Sequence, residues 1–234
     1  MKKILLTILP LLLIGGCLKD IIKYEYIPVK YGGILYSKDT LVTTVGTGWY
    51  YFSDSFYDGV LCTSPHNNEL YTGVVIVFYE NRNMSNKGTF KNGLRHGIFT
   101  EWNENGQKGF ECSYNNNILN GKYTMWFKNG HKELEGTYKD DKRDGLWISW
   151  YENGNKEVEK YIKDDKHDGL WTWWYENGNK RVERHHKDYK LNGLITSWYY
   201  NGQKEMEGAY KDDKRDGKWT FYNEDGSVKE VKEF

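Results

Sequence analysis

The sequence predicts an all-β protein, an elongated array of consecutive antiparallel β-hairpins forming a twisted, curved open sheet. Three observations predict it. Glycine recurs every 24 residues, at Gly73, Gly97, Gly121, Gly145, Gly169, Gly193 and Gly217, with no insertion or deletion. An aromatic residue stands five positions after each: Phe78, Trp102, Trp126, Trp150, Trp174, Trp198 and Tyr222. A second glycine follows nine positions after all but the first, from Gly106 through Gly154 to Gly226. A fixed period of this length marks small units that bury their apolar faces against their neighbours. Glycine at this frequency opposes helix, and the β-branched and aromatic residues suit a pleated sheet.

The elements follow in order. Residues 1–16 read as a targeting segment, with Lys2 and Lys3 ahead of the apolar run Ile4 to Ile14. That run is too short for an ordinary membrane-spanning helix. Gly15-Gly16-Cys17 resembles the lipobox of bacterial lipoproteins, which implies cleavage before Cys17 and lipid on Cys17. Leu18, not aspartate, follows, which implies outer-membrane sorting in a host with two membranes. Residues 17–45 read as a tether with irregular N-terminal strands. Residues 46–72 read as a degenerate capping repeat, since terminal repeats are atypical. Residues 73–234 hold seven hairpin units.

One unit shows the logic. Gly145 to Tyr151 is a strand, Asn153-Gly154 a tight turn of type I′, and the next strand runs to Lys163. Asp164-Asp-Lys-His-Asp168 is a charged loop to the next unit. With Asn153-Gly154 as the loop, the second residue after each glycine faces the fifteenth. The copies support that register. Trp147, Trp171 and Trp219 then face Lys160, Arg184 and Lys232, whereas Val75, Tyr123 and Ile195 face Gly88, Gly136 and Gly208, and Phe99 faces Cys112. A cation over an indole is a favourable cross-strand pair, worth ~0.5–1 kcal/mol when exposed.

Composition narrows the function. Positive and negative residues number 33 each. That balance opposes non-specific nucleic-acid binding, which needs a basic surface. It also disfavours direct binding to anionic lipid headgroups. Cys62 and Cys112 fall on strands too far apart for a disulfide, so two free thiols are expected.

The pattern Asp-Gly-Leu-Trp-x-x-Trp-Tyr-Glu-Asn-Gly, followed by Lys-Asp-Asp-Lys-Arg-Asp-Gly, resembles the bacterial variant of the MORN repeat. It is similar in particular to the YwqK-family antitoxins. The resemblance covers roughly Thr47 to Phe234. It implies hairpins in an extended sheet and, through the antitoxin name, binding and neutralising a toxin protein.

No catalytic constellation separates itself from the periodic pattern, so the expected function is non-enzymatic, with no cofactor and no metal. His185 and His186 are adjacent on a strand and point to opposite faces, so they cannot share one ion. The histidines, these two and His66, His96, His131 and His167, read as solvated surface groups. The aspartate-rich loops lack the ligand order of a calcium loop. Glu157 and Glu159 recur in other units, as a solvated strand face does.

The aromatic columns are the candidate surface. The column five after glycine, aromatic in every copy, reads as the packing spine. The variable aromatics Trp147, Trp171, Trp173 and Trp219 read as the partner surface, with Trp147, Trp171, Trp173 and Tyr175, flanked by Lys160 and Arg184, as the best single patch, its ring faces partly solvated. The expected partners are a protein, a toxin by the resemblance, and the membrane through the lipid anchor. A structural spacer of the envelope and a lipid-binding protein are the rival readings.

Overall fold

The computed structural model describes the strands within 25–29, 32–37 and 40–44, and residues 70, 72–79, 81 and 83–234. The targeting segment, Cys17, Cys62 and nearly all of the expected capping repeat lie outside the described residues.

Strands β1 (Glu25–Val29), β2 (Gly32–Ser37) and β3 (Thr40–Thr44) precede the array. The array comprises β4 (Gly73–Phe78), β5 (Met84–Lys91), β6 (Leu94–Trp102), β7 (Lys108–Asn115), β8 (Ile118–Trp126) and β9 (Lys132–Lys139). It continues with β10 (Lys142–Arg143), β11 (Gly145–Trp150), β12 (Lys156–Lys163), β13 (Lys166–Trp174) and β14 (Lys180–Lys187). It closes with β15 (Lys190–Trp198), β16 (Lys204–Lys211), β17 (Lys214–Tyr222) and β18 (Val228–Glu233). All belong to one sheet, and no helix occurs among the described residues. From β4 onward every pairing is antiparallel. β3 joins β4 in parallel, Thr40 opposite Val74. The strand beside β4 therefore comes from the segment expected to be a tether, in a regular ladder.

The expected register holds in all seven hairpins. Trp147 faces Lys160, Trp171 faces Arg184 and Trp219 faces Lys232. Val75, Tyr123 and Ile195 face Gly88, Gly136 and Gly208, and Phe99 faces Cys112.

The turn that produces this register is not the expected one. The Gly154 N–H donates to the Tyr151 carbonyl at 2.9 Å, and the Tyr151 N–H donates to Asn155 at 2.9 Å. Of Asn153 and Gly154, only Gly154 has positive φ, at 88°. The loop is Glu152-Asn153-Gly154, a type I turn closed by a left-handed glycine. Trp150 then faces Lys156 while Ser149 faces Val158, which leaves Glu157 as a bulge residue. The extra loop residue and the extra strand residue cancel, so the interior register is that of a two-residue loop.

The type I′ turn sits in the charged loop instead. Asp164 and Asp165 have φ of 48° and 62°, with Lys163 paired to Lys166 across them. Aspartate tolerates this conformation better than most residues. The second acidic residue also ties units together. Asp165 Oδ1 accepts from Arg143 N and Nε at 3.2 and 2.8 Å. Asp141 and Asp213 accept from the N–H groups of Leu119 and Leu191 at 2.7 and 2.8 Å. At the other end of the strands, Asn153 Nδ2 donates to the Glu176 carbonyl, and the Tyr151 hydroxyl to the Trp174 carbonyl, both at 2.9 Å.

The buried spine is also not the expected column. The second residue after the glycine is buried in every unit but that of Gly121, where Tyr123 is half-buried: Phe99 is 1 % exposed, Trp147 3 % and Trp219 0 %. The column five after glycine is half-buried from Trp102 to Tyr222. A lysine of the preceding unit covers the rings of Trp126, Trp150, Trp174 and Trp198 at 5.3–5.6 Å, as Lys108 covers Trp126.

The cause of burial lies on the preceding strand. An added Cβ at Gly136 would stand 2.3 Å from the Trp147 ring, and one at Gly208 2.3 Å from the Trp219 ring. Each indole lies flat on bare backbone. Tyr138 and Tyr210 then meet Trp147 and Trp219 edge-on, both at 5.2 Å. Such edge contacts each add ~0.5–1.5 kcal/mol beyond area burial.

Candidate functional site

The six sequence-predicted residues do not form one patch. Trp147 is sealed against Gly136, Tyr138 and Tyr123. The expectation of a partly solvated ring fails there, because glycine on the preceding strand lets the indole sink into the sheet. Tyr175 is half-buried and interlocks units: its hydroxyl donates to the Trp198 carbonyl at 2.9 Å, and its ring meets Tyr200 at 5.2 Å. Lys160, Trp171, Trp173 and Arg184 do come together.

Lys160 on β12 and Arg184 on β14 flank Trp171 on β13, each directly opposite it. Lys160 Nζ lies 5.0 Å from the Trp171 ring centre, and Arg184 Cζ lies 4.5 Å from that of Trp173. The cations therefore lean on rings other than those expected from the hairpin pairs, since Lys160 was paired with Trp147 and Arg184 with Trp171. Because Lys160 occupies the column held by Gly136 and Gly208, Trp171 has no bare backbone to lie on. It is 7 % exposed, so its ring is covered too, but by different neighbours.

Those neighbours are histidines. His167 meets Trp171 at 4.3 Å and His186 meets it at 4.9 Å, with 6.0 Å between the imidazoles. Tyr189 meets His167 at 5.9 Å. His186 is 8 % exposed, which overturns its reading as a solvated histidine, while its neighbour His185 is exposed on the other face. His167 lies in a strand and is half-buried. His186 and Tyr189 were legible as departures from their columns. His186 stands where other units carry Phe90, Tyr114, Tyr138 and Tyr210. Tyr189 stands where they carry Asn117, Asp141, Asp165 and Asp213.

The electrostatics are consistently cationic. Burial, then the Arg184 charge, pulls His186 down to about 4. Burial, then Lys160, Arg143 and Arg184, lowers His167. Burial and Arg143 lower Lys160, and burial lowers Arg184. His186 Nδ1, Arg184 Nε and the Trp171 indole nitrogen are buried with no hydrogen-bond partner. The indole nitrogens of Trp147 and Trp219 and the Nδ1 of His96 share that condition, so the arginine, and its place beside the histidine, distinguish this site.

Among the described residues, no three His, Cys, Asp or Glu side chains group as they would around a metal ion. Cys112 is free and buried, and burial raises its thiol to about 12, out of reach of ordinary thiolate chemistry. Glu159 is taken by Lys156 at 2.5 Å, and Glu157 accepts from the Ser149 hydroxyl at 3.0 Å.

The family model of the MORN repeat variant matches residues 95–116, 119–140, 143–164, 168–188 and 215–234. Each matched segment spans one hairpin and the turn that follows it or closes the chain. A search of curated proteins gives no match.

Proposed function

On an array built from MORN-variant repeats, we propose a non-enzymatic protein-binding function, displayed from a membrane by lipid on Cys17. Cleavage before Cys17 would remove residues 1–16 and leave the array outside the cytoplasm, at the outer membrane or cell surface in a host with two membranes. The partner is a protein. Neutralisation of a toxin, in the manner of an antitoxin or immunity protein, is the special case that the YwqK resemblance adds.

One observation carries the reading. The unit from Gly169 departs from the repeat in two columns, at His186 and Tyr189, and these departures converge with His167 of the preceding unit around Trp171. A repeat that serves only its own packing has no reason to give up an aromatic and an aspartate at one place. Aromatic and arginine side chains are also those enriched at interface hot spots.

Site-specific photocrosslinking tests it. A crosslinker at Tyr189, beside the cluster, should trap a protein in intact cells, and one at Leu194 on the opposite face should not. Lipid adducts alone, or equal trapping at both positions, would reject the reading. Acylation is tested separately: Cys17→Ser should lose the lipid mass and the membrane association.

A spacer role has one observation in its favour, the bonds from Asn153 and Tyr151 to carbonyls of the next unit, repeated by Asn177 and Tyr175. A spacer would tolerate changes around Trp171 and respond to deletion of a whole unit.

A further inference from the structure

We propose that Lys160 and Arg184, with Trp171 between them, bind a carboxylate side chain from an acidic segment of the partner protein. This rests on the protein-binding reading and names the partner's chemistry.

The first argument is the unmatched charge. Along the other face, Lys108, Lys132, Lys156, Lys180 and Lys204 each hold a glutamate at 2.5–2.6 Å. Lys232, in the same column as Lys160 and Arg184, pairs with Glu230 at 2.9 Å. Among the described residues, Lys160 and Arg184 form no ion pair, though both are half-buried. Half-buried cations without counter-charges are costly, and an incoming carboxylate removes that cost.

The second argument is the missing acid. Asn117, Asp141, Asp165 and Asp213 present a side-chain oxygen to the strand beside them. Tyr189 occupies that column next to His167 and brings no carboxylate. The third is the buried donor capacity. His186 is more than nine-tenths buried, its Nδ1 is unpartnered, and Arg184 Nε is unpartnered beside it.

Charge also selects among occupants. Lys160, Arg143 and Arg184 all repel a metal cation from the two imidazoles, and their fields already lower His167. Anionic lipid is drawn to broad basic clusters, whereas the lysines of the other face are neutralised by their glutamates. Lys160 and Arg184 lie two strands apart, ~9.6 Å across β13, so a carboxylate arriving at their solvent-facing ends can pair with one or both. The occupant is thus a local acidic side chain, held by charge-assisted hydrogen bonds.

The test uses a fluorescein-labelled peptide of alternating glutamate and valine as probe, with binding read by anisotropy at low salt. The peptide should bind the full chain. Lys160→Gln with Arg184→Gln should weaken binding by about tenfold or more, the loss of at least one charge-assisted bond. Replacing glutamate by glutamine in the peptide should do the same. Lys156→Gln with Lys180→Gln, on the opposite face, should leave it unchanged. On the unaltered protein, bound peptide should raise the NMR titration of His186. Absence of binding, indifference to the Lys160 and Arg184 changes in a folded variant, or no shift at His186 would each overturn the proposal. So would anionic vesicles binding through these two residues while the peptide does not, or self-association lost in the double variant. If Tyr189 still traps its protein from the double variant, the protein-binding reading stands and the acidic-site proposal fails.

Discussion

Trp147 and Trp171 occupy the same column of neighbouring units, yet they are buried by different means. Trp147 lies on Gly136 and is met edge-on by Tyr138. Trp171 has Lys160 where the glycine would be, Ile162 where the preceding tyrosine would be, and His186 where its own unit's aromatic would be. The first arrangement recurs at Trp219, on Gly208 beside Tyr210. The second occurs once among the described units. The side chain across the preceding strand thus decides whether an indole becomes spine or part of a charged cluster.

The largest expected effect breaks the first arrangement. Trp147→Ala should cost ~3–5 kcal/mol, as for other buried tryptophans, measured by urea unfolding and by lost amide protection in β9 to β12. An effect as small as a surface substitution would show that Trp147 is not spine.

Gly136→Ala comes next. Gly136 has an ordinary strand φ, so the change tests only the 2.3 Å approach of the Trp147 ring. Overpacking of this kind costs ~1–3 kcal/mol. Lys160→Ala, in the same column, should cost less because a Cβ is already accommodated there. Equal costs would erase the distinction between the two units.

Tyr189→Asp sharpens the comparison from the other side. It supplies the carboxylate that Asp165 and Asp213 provide elsewhere, at a residue already at φ 68°. Stability should rise by ~0.5–1.5 kcal/mol, a typical net hydrogen bond. The new carboxylate should also weaken binding of the acidic probe. No gain in thermal midpoint would mean that His167 needs no such bond.

The last effect is a pH slope. His186 is neutral in the fold and is pulled to about 4 from an ordinary value of 6.5. Between those values the unfolded chain binds the extra proton. The stabilising contribution is therefore complete above 6.5 and is lost as pH falls towards about 4. His186→Phe, restoring the aromatic of the other units, should flatten that part of the curve. An unchanged slope would place the titration on another group.

Much of the candidate site was legible, but its internal order was not. Lys160, Arg184 and Trp171 stood out because their columns vary, and the register that joins them follows from comparing the copies. His167, His186 and Tyr189 carried the same kind of signal, and reading histidines only as metal ligands or solvated groups hid it. Exposure was read wrongly at Trp147 because the relevant glycine belongs to the preceding hairpin, not to the one that pairs Trp147 with Lys160.

The sequence by itself determined the hairpin array and its register. A strict period aligns the units, and a one-residue slip would turn every side chain to the wrong face. Only the tertiary structure decided which turn is type I′, because the three-residue loop at Gly154 and the bulge at Glu157 cancel and leave no trace in the register. It also decided which ring each cation covers and which tryptophans are sealed. Those outcomes depend on side chains about 11 residues apart across adjoining hairpins, as Gly136 is from Trp147, where contact is set by stacking of whole units and not by local pattern.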